Sequence, residues 1–234
     1  MGCAIRREVA AIDGSDGSRA WWFVAAAALA LFGVLAFLIR IAPDNTVDRT
    51  LLEWVTQWDL PFIDGTMESM SWFTDLRPRL VLAVVGVVVI ALTGHLRLAA
   101  ATAIAAALTV IPVNALDLAG GIVADRIRPN GAPFQAFPSG HTLGTVVQYG
   151  FGIYLVLRLG LQRWISVPLV ALLAVTILLV GPARIFTGAH WPSDVLGSYF
   201  LGTAFIIALV LLVEIAERWL SGRGLLGGTP STTV

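Results

Sequence analysis

Long runs of apolar residues alternate with short polar segments along this chain. Residues 20–39 carry no charged side chain and are about as many as a helix needs to cross the hydrocarbon core of a bilayer. The same pattern predicts further spans along the chain, which gives six in all: 20–39, 80–94, 98–123, 141–157, 164–183 and 192–216. We therefore expect an all-α bundle of six transmembrane helices over residues 20–216.

Composition supports a polytopic membrane protein over a soluble one. Hydrophobic residues make up 57% of the chain and charged residues 13%, far from the balance of soluble domains. The net charge is zero and there is no basic tail or patch, so no nucleic-acid partner is expected. Cys3 is the only cysteine, which excludes an internal disulfide and a cysteine-based metal cluster.

Polar segments lie at both ends of the chain and between the first two spans. Residues 1–19 and 217–234 are predicted to be flexible cytoplasmic tails. Residues 43–79 mix polar residues with apolar ones at helical spacing, which indicates one or two short interfacial helices on the extracytoplasmic side. An ordered loop packed on the bundle is an equally good interpretation.

Arginine placement sets the expected orientation. Six spans put both termini on one side, and the arginines on that side outnumber the rest once those with a candidate site role are set aside. We therefore expect cytoplasmic termini and a multi-pass protein of the cell (inner) membrane. The polar clusters at 125–129 (DRIRP), 138–141 (PSGH) and 184–194 (RIFTGAHWPSD) would then all lie at the extracytoplasmic face.

Ionisable groups at a membrane edge are costly, so these clusters require a functional reason. In the third cluster, Pro192 suits the first position of a helix and Asp194 falls in its first turn. Asp194 could reach back to the ring of His190, fix its tautomer and leave the other nitrogen as a nucleophile or base. The alternative is that Asp194 only caps its own helix.

The other two clusters supply anion-binding groups. Ser139 could cap the fourth span, and Gly140 would let backbone amides approach an anion beside His141 as proton donor. Arg128 and Arg184 carry planar guanidinium groups that match phosphate oxygens. A plain turn, or arginines that reach the headgroups, would explain each cluster singly, whereas all of them in one layer favour a phosphate site.

The order RP, then PSGH, then R-x5-H-x3-D resembles the three-part motif of the type 2 phosphatidic acid phosphatase superfamily. The resemblance implies a metal-independent lipid phosphatase with no cofactor, acting on a prenyl diphosphate, phosphatidic acid or phosphatidylglycerol phosphate in the bilayer. It implies that His190 forms a phosphohistidine, that Asp194 orients it and that His141 protonates the leaving oxygen. Arg128, Arg184 and the amides near Ser139 and Gly140 would hold the phosphate.

Two positions depart from that family pattern. The usual lysine and serine phosphate ligands are replaced by Gly121 and Ala183. Arg126 is a candidate substitute for the lost charge, and Asp117, one helical turn before Gly121, is a candidate neighbour. A lipid phosphotransferase that uses the same phosphohistidine, or a non-catalytic phospholipid-binding protein, are the alternative functions.

Overall fold

The computed structural model describes residues 15–57, 61–92, 103, 126–132 and 136–222, with side chains omitted for 15–18, 61–64 and 216–222. Every regular element in this part of the chain is a helix. In chain order these are α1 (Ser15–Ile41), α2 (Thr46–Thr56), α3 (Pro61–Phe73), α4 (Leu76–Leu92), α5 (Gly140–Arg158), α6 (Arg163–Phe186) and α7 (Pro192–Gly222). The prediction of an all-α fold is confirmed.

Helices α1, α4, α5, α6 and α7 coincide with five of the six predicted spans. Three of the described helices are long and apolar enough to cross a membrane, over Arg19–Ile41, Arg163–Phe186 and Pro192–Ile215. The third predicted span, 98–123, lies outside the described residues except for Ala103, which is helical. The count of six spans therefore stays a prediction.

The predicted tail boundaries differ from the helix ends. Helix α1 begins at Ser15, within the segment predicted as a tail, and α7 continues to Gly222, past the predicted end of the last span. Both extensions are polar turns added to an apolar helix, which costs little because the backbone hydrogen bonds propagate once a helix has formed. Residues 1–14 and 223–234 lie outside the described residues.

The core runs along the contacts of α7 with α1 and α5, and of α5 with α6. Small and branched side chains let α1 and α7 approach closely, as in the cluster of Ala25, Ile207 and Leu211. Large apolar side chains point outward from the same helices, for example Phe23 at 75% and Leu178 at 67% exposure. An apolar outer surface around a packed interior is what a lipid environment requires.

The segment predicted to be interfacial, 43–79, forms α2, α3 and the first turn of α4. Helix α2 exposes Val47, Leu51 and Trp54, while its one buried residue is Asp48. Helix α3 packs on α6. The segment thus presents apolar side chains outward and directs a carboxylate toward the bundle, the reverse of a soluble surface helix.

Candidate active site

Backbone hydrogen bonds join the three polar clusters into one layer. The amide of Asn130, the residue directly after the first cluster, donates to the carbonyl of Gly188 in the third cluster at 3.1 Å. The amide of Ser139 donates to the carbonyl of Asp194 at 3.4 Å, which links the second to the third. The clusters are therefore brought together as the sequence predicted.

The end of α6 sets the path of the nucleophile candidate. Gly188 adopts φ +63°, and the amides of Gly188 and Ala189 donate back to the carbonyls of Ile185 and Arg184 at 2.9 and 3.1 Å. This is the Schellman arrangement, in which glycine takes the left-handed position just beyond a helix. The amide of His190 also donates to the Arg184 carbonyl, at 3.1 Å, so the turn fixes the histidine against the helix end.

His190 is fully buried, and a backbone carbonyl fixes its tautomer. Its Nδ1 lies 2.7 Å from the carbonyl oxygen of Ala136. A carbonyl can only accept, so Nδ1 carries the proton and Nε2 carries a lone pair. Nε2 has no hydrogen-bond partner among the described residues. An unengaged lone pair in a buried site is what a nucleophilic histidine needs.

Burial and charge both act on the pKa of His190. Burial lowers the pKa below its ordinary value of 6.5, the carboxylate of Asp194 raises it in part, and the positive charges of Arg128 and Arg184 lower it further. The net direction is downward, so the neutral, nucleophilic form is favoured near pH 7.

Asp194 is fully buried, and its main contacts are not with the histidine. One carboxylate oxygen accepts from the Trp191 amide at 2.8 Å, and the other accepts from Arg126 Nη1 at 3.0 Å. Its Oδ2 lies 3.8 Å from His190 Nδ1, beyond hydrogen-bond range. The predicted direct Asp194–His190 hydrogen bond is therefore wrong in detail. Asp194 caps the start of α7, and its charge faces the ring while Ala136 accepts the ring proton.

Arg126 does not face the site as a substitute for the missing lysine. It is 3% exposed, and its Nη1 donates to Ser193 Oγ at 2.7 Å as well as to Asp194. Its Nη2 donates to Asp48 at 2.5 Å, and its guanidinium lies 5.0 Å from the ring centre of Trp191. Since both terminal nitrogens already bind carboxylates, the hypothesis that Arg126 replaces the lysine charge on phosphate is corrected. The other two residues of that hypothesis, Gly121 and Asp117, lie outside the described residues.

The PSGH cluster forms the turn into α5. Ser139 occupies the N-cap position, but its hydroxyl makes no capping hydrogen bond and instead accepts from Thr142 Oγ1 at 3.1 Å. The predicted hydroxyl cap is therefore wrong, and Ser139 leaves the amides of the first turn without a cap from its side chain. Gly140 opens the helix and His141 follows it, with its Nε2 3.5 Å from Oδ1 of Asp75. Uncapped amides at a helix start attract anions.

Arginines surround the two histidines. Arg184, in the last turn of α6, donates through Nη1 to the hydroxyl of Ser71 on α3, and its Nε is buried without a partner among the described residues. Arg128 is half-buried, and its charge acts on both Arg184 and His190. Arg79 of α4 is 6% exposed, and its charge acts on His141. Arg79, Arg128 and Arg184 therefore give this part of the site positive charge, as a phosphate site should have.

Sequence reasoning missed four residues around this site. They come from the segment 43–79 or its junction with α4 and are Asp48, Ser71, Asp75 and Arg79. None of them belongs to a motif. The only available signal was Asp48, an acidic residue on the polar side of the short amphipathic helix α2. In the part of the chain that the structure describes, no group of three or more His, Cys, Asp or Glu side chains could hold a metal ion.

The sequence matches a known protein family, and the structure is similar to a solved structure. The model of the PAP2 superfamily matches residues 96–218, which is more than half of the chain. The structure is similar to the crystal structure of the first transmembrane PAP2 type phosphatidylglycerolphosphate phosphatase from Bacillus subtilis, with a TM-score of 0.72 and 21% sequence identity. That similarity covers 84% of this chain and 99% of the other. No curated protein matches the sequence.

Proposed function

The chain belongs to the PAP2 superfamily, as its three motifs predicted, and from this membership and the geometry of the site we propose that it is a membrane lipid phosphatase working through a phosphohistidine. The single observation that carries the proposal is the state of His190. Its Nδ1 is held by a backbone carbonyl, and its Nε2 is buried with no partner among the described residues. A binding protein would have no need for an unpaired imidazole nitrogen in a cationic layer.

The proposed reaction has two steps. In the first, the lone pair of His190 Nε2 attacks phosphorus, the bond from phosphorus to the leaving oxygen breaks, and His141 gives that oxygen a proton. In the second, a water attacks the phosphohistidine and gives its proton to His141, and the phosphorus–nitrogen bond breaks to release phosphate. Asp194 supports the first step, since its charge offsets the positive charge that develops on the ring.

Binding of the phosphate is proposed to use Arg128, Arg184 and the amides of the first turn of α5, near Ser139 and Gly140. Phosphoryl transfer depends chiefly on positioning and on neutralising the equatorial oxygens, which arginines can provide without a metal ion. The hydrogen bond from Arg184 to Ser71 holds one of these arginines in place. Ala183, where the family has a serine, is fully buried and offers no hydroxyl.

The proposed substrate is a lipid with a terminal phosphate or diphosphate at the bilayer edge. Candidates are a prenyl diphosphate, phosphatidic acid and phosphatidylglycerol phosphate, the last supported by the name of the structurally similar phosphatase. The lipid tail would lie among the spans while its phosphate enters the cationic layer. We place this layer at the extracytoplasmic face of the cell membrane and both termini in the cytoplasm, because of the arginine distribution.

Phosphate release by the purified chain tests the proposal. Wild type should release phosphate from at least one of the three lipids, and His190→Ala should lower the rate by about 10³-fold or more. His141→Ala should cost about 10²- to 10⁴-fold on a lipid alcohol leaving group. The same variant should lose little on p-nitrophenyl phosphate, whose leaving group needs no proton. Asp44→Asn, an exposed change in the interfacial segment, is the control that should match wild type.

Two further measurements separate the alternatives. Acid quenching of the enzyme with a ³²P-labelled lipid should trap label on wild type and not on His190→Ala. Added acceptor lipids should leave the yield of free phosphate unchanged, whereas a phosphotransferase would move the label to the acceptor. Equal, slow release by wild type and His190→Ala on every lipid would refute the phosphatase.

A further inference from the structure

We propose that Asp48 of helix α2 is a positioning residue of this site, which acts through Arg126 and the start of α7 to fix the orientation and charge surroundings of His190. The inference rests on the proposed function for its kinetic part only. Asp48 precedes the residues matched by the family model, 96–218, and comes from the segment predicted to lie at the interface. Its role follows from the contacts of its carboxylate.

The carboxylate of Asp48 is 2% exposed and saturated with donors. Oδ1 accepts from the Ser193 amide at 2.9 Å. Oδ2 accepts from Arg126 Nη2 at 2.5 Å, from Asn45 Nδ2 at 2.8 Å and from the Ser193 hydroxyl. A buried carboxylate with this many donors stays ionised and cannot rotate.

Ser193 lies in the first turn of α7, where backbone amides have no partner within the helix. Asp48 supplies that partner although it is 145 residues distant in sequence. A carboxylate is favoured at a helix start because the helix dipole is positive there. Asp48, on helix α2, therefore caps α7 at Ser193, which is three residues after His190.

Arg126 carries the effect of Asp48 to the histidine. Its two terminal nitrogens bind Asp48 and Asp194, and Oδ2 of Asp194 lies 3.8 Å from the His190 ring. Without Asp48, the guanidinium would keep one carboxylate instead of two. Its positive charge would then be less neutralised, so it would interact more strongly with Asp194 and would disfavour the protonated form of the His190 ring. Among the described residues, the charged and titratable groups that act on His190 are Asp194, Arg128, Arg184 and His141, with Arg126 and Asp48 behind Asp194.

This arrangement predicts the direction in which the pKa of His190 shifts in each variant, and a residue that only held α2 in place would not produce the same pair of directions. Removing the negative charge of Asp48 should lower the pKa of His190. Removing the positive charge of Arg126 should raise it, because Asp194 is then left uncompensated. A role limited to holding α2 in place would move both variants in the same direction, through partial exposure of the ring.

The test is a titration of histidine ring nitrogens by NMR, on the full chain in detergent micelles with ¹⁵N-labelled histidine. The chain has 3 histidines, so His190 is assigned by the signal lost in His190→Ala. We expect the His190 pKa to fall in Asp48→Asn, to rise in Arg126→Gln and to be unchanged in Asp44→Asn. Asp44 is the matched control because it lies in the same segment with its side chain 75% exposed. The proposal would be overturned if the His190 pKa shifted in the same direction in Asp48→Asn and Arg126→Gln, or if it did not shift in one or both of them.

Kinetics on a lipid phosphate give the second readout. Asp48→Asn should lower kcat by about 10- to 100-fold, the factor expected when a catalytic group is displaced by up to about 1 Å from its reactive position, with KM little changed. Asp48→Glu keeps the charge and should recover most of the His190 titration and part of kcat. It is also the second variant if Asp48→Asn does not fold. If the His190 pKa in Asp48→Glu fell as far as in Asp48→Asn, the proposal would be contradicted.

The two readouts separate this inference from the proposed function. Wild type that releases no phosphate, with the opposite NMR shifts intact, would refute the phosphatase and leave the positioning role of Asp48 standing. Wild type that releases phosphate, with kcat and the His190 pKa unchanged in Asp48→Asn, would refute the positioning role alone.

Discussion

Phe137 directly follows Ala136, whose carbonyl sets the tautomer of His190, so truncation of Phe137 should damage stability and activity together. The side chain is 1% exposed and stacks on Phe32 of α1, with ring centroids 5.3 Å apart and planes at 14°. The ring also lies against α7, where a Cβ placed on Gly197 would be 2.5 Å from Cε2 of Phe137. Phe137→Ala should therefore leave a cavity between two helices and cost about 3–5 kcal/mol, of which stacking accounts for about 1 kcal/mol.

The loss of activity has a separate cause, which is the position of Ala136. Its carbonyl accepts the Nδ1 proton of His190 at 2.7 Å and precedes Phe137 directly in the chain. A collapsed Phe137 cavity should move this carbonyl and free the imidazole to rotate. Unfolding in mixed detergent–SDS micelles, followed by tryptophan fluorescence, measures the first effect, and kcat on a lipid phosphate measures the second.

Phe23→Ala is the matched control, because that ring is 75% exposed on the lipid side of α1. It should change the free energy of unfolding by no more than about 0.5 kcal/mol. A Phe137→Ala variant that is no less stable than this control would show that the ring does not hold the loop. One that is destabilised but has normal kcat would show that Ala136 does not depend on it.

Three further predictions concern pH and packing. The acid limb of kcat/KM, corrected for substrate ionisation, should have its midpoint below 6.5, because burial lowers the pKa of His190 and the neutral ring is the active form; a midpoint above 6.5 would contradict this. Burial raises the pKa of Asp48, but hydrogen bonds from Ser193 and Arg126 lower it more, so the folded-state pKa lies below 3.8. The contribution of Asp48 to the stability of the folded state is therefore complete above pH 3.8 and is lost as the pH falls through the folded-state pKa. Asp48→Asn should accordingly flatten the loss of stability measured by unfolding below about pH 4. Gly144→Ala should cost about 1–3 kcal/mol by thermal unfolding, because the new methyl would overlap the guanidinium of Arg79, whereas Gly86→Ala, with open space around it, should cost nothing.

Apolar periodicity and motif order were sufficient to predict the helical fold and the meeting of the three polar clusters. A transmembrane span is recognised from about 20 consecutive apolar residues, and this pattern can be read from one stretch of the sequence alone. Helix α6 illustrates its accuracy, since residues 164–183 were predicted and Arg163–Phe186 are observed. The convergence of the clusters follows from topology, because they were all assigned to the ends of spans on one side of the membrane.

Hydrogen-bond partners inside the site were less predictable, because several acceptors compete for each donor. Asp194 was expected to bind the His190 ring, yet the Trp191 amide and Arg126 are better placed, and Ala136 takes the ring proton. Ser139 had the right position for a cap but its hydroxyl pairs with Thr142. Such choices depend on differences of about 1 Å in the separation of groups that are remote in sequence, and spacing along the chain contains no such information.

The interfacial segment gives each motif a support that the motif itself lacks. Asp48 binds Arg126 beside the first motif, Asp75 lies 3.5 Å from His141 of the second, and Ser71 accepts from Arg184 of the third. All three supports precede residue 96, where the family match begins. In this chain the serine usual before Arg184 is replaced by Ala183, and Ser71 supplies a hydroxyl that accepts from this arginine. The segment is thus a wall of the site with a support for each motif, and a change of its sequence should alter catalysis even where every motif residue is kept.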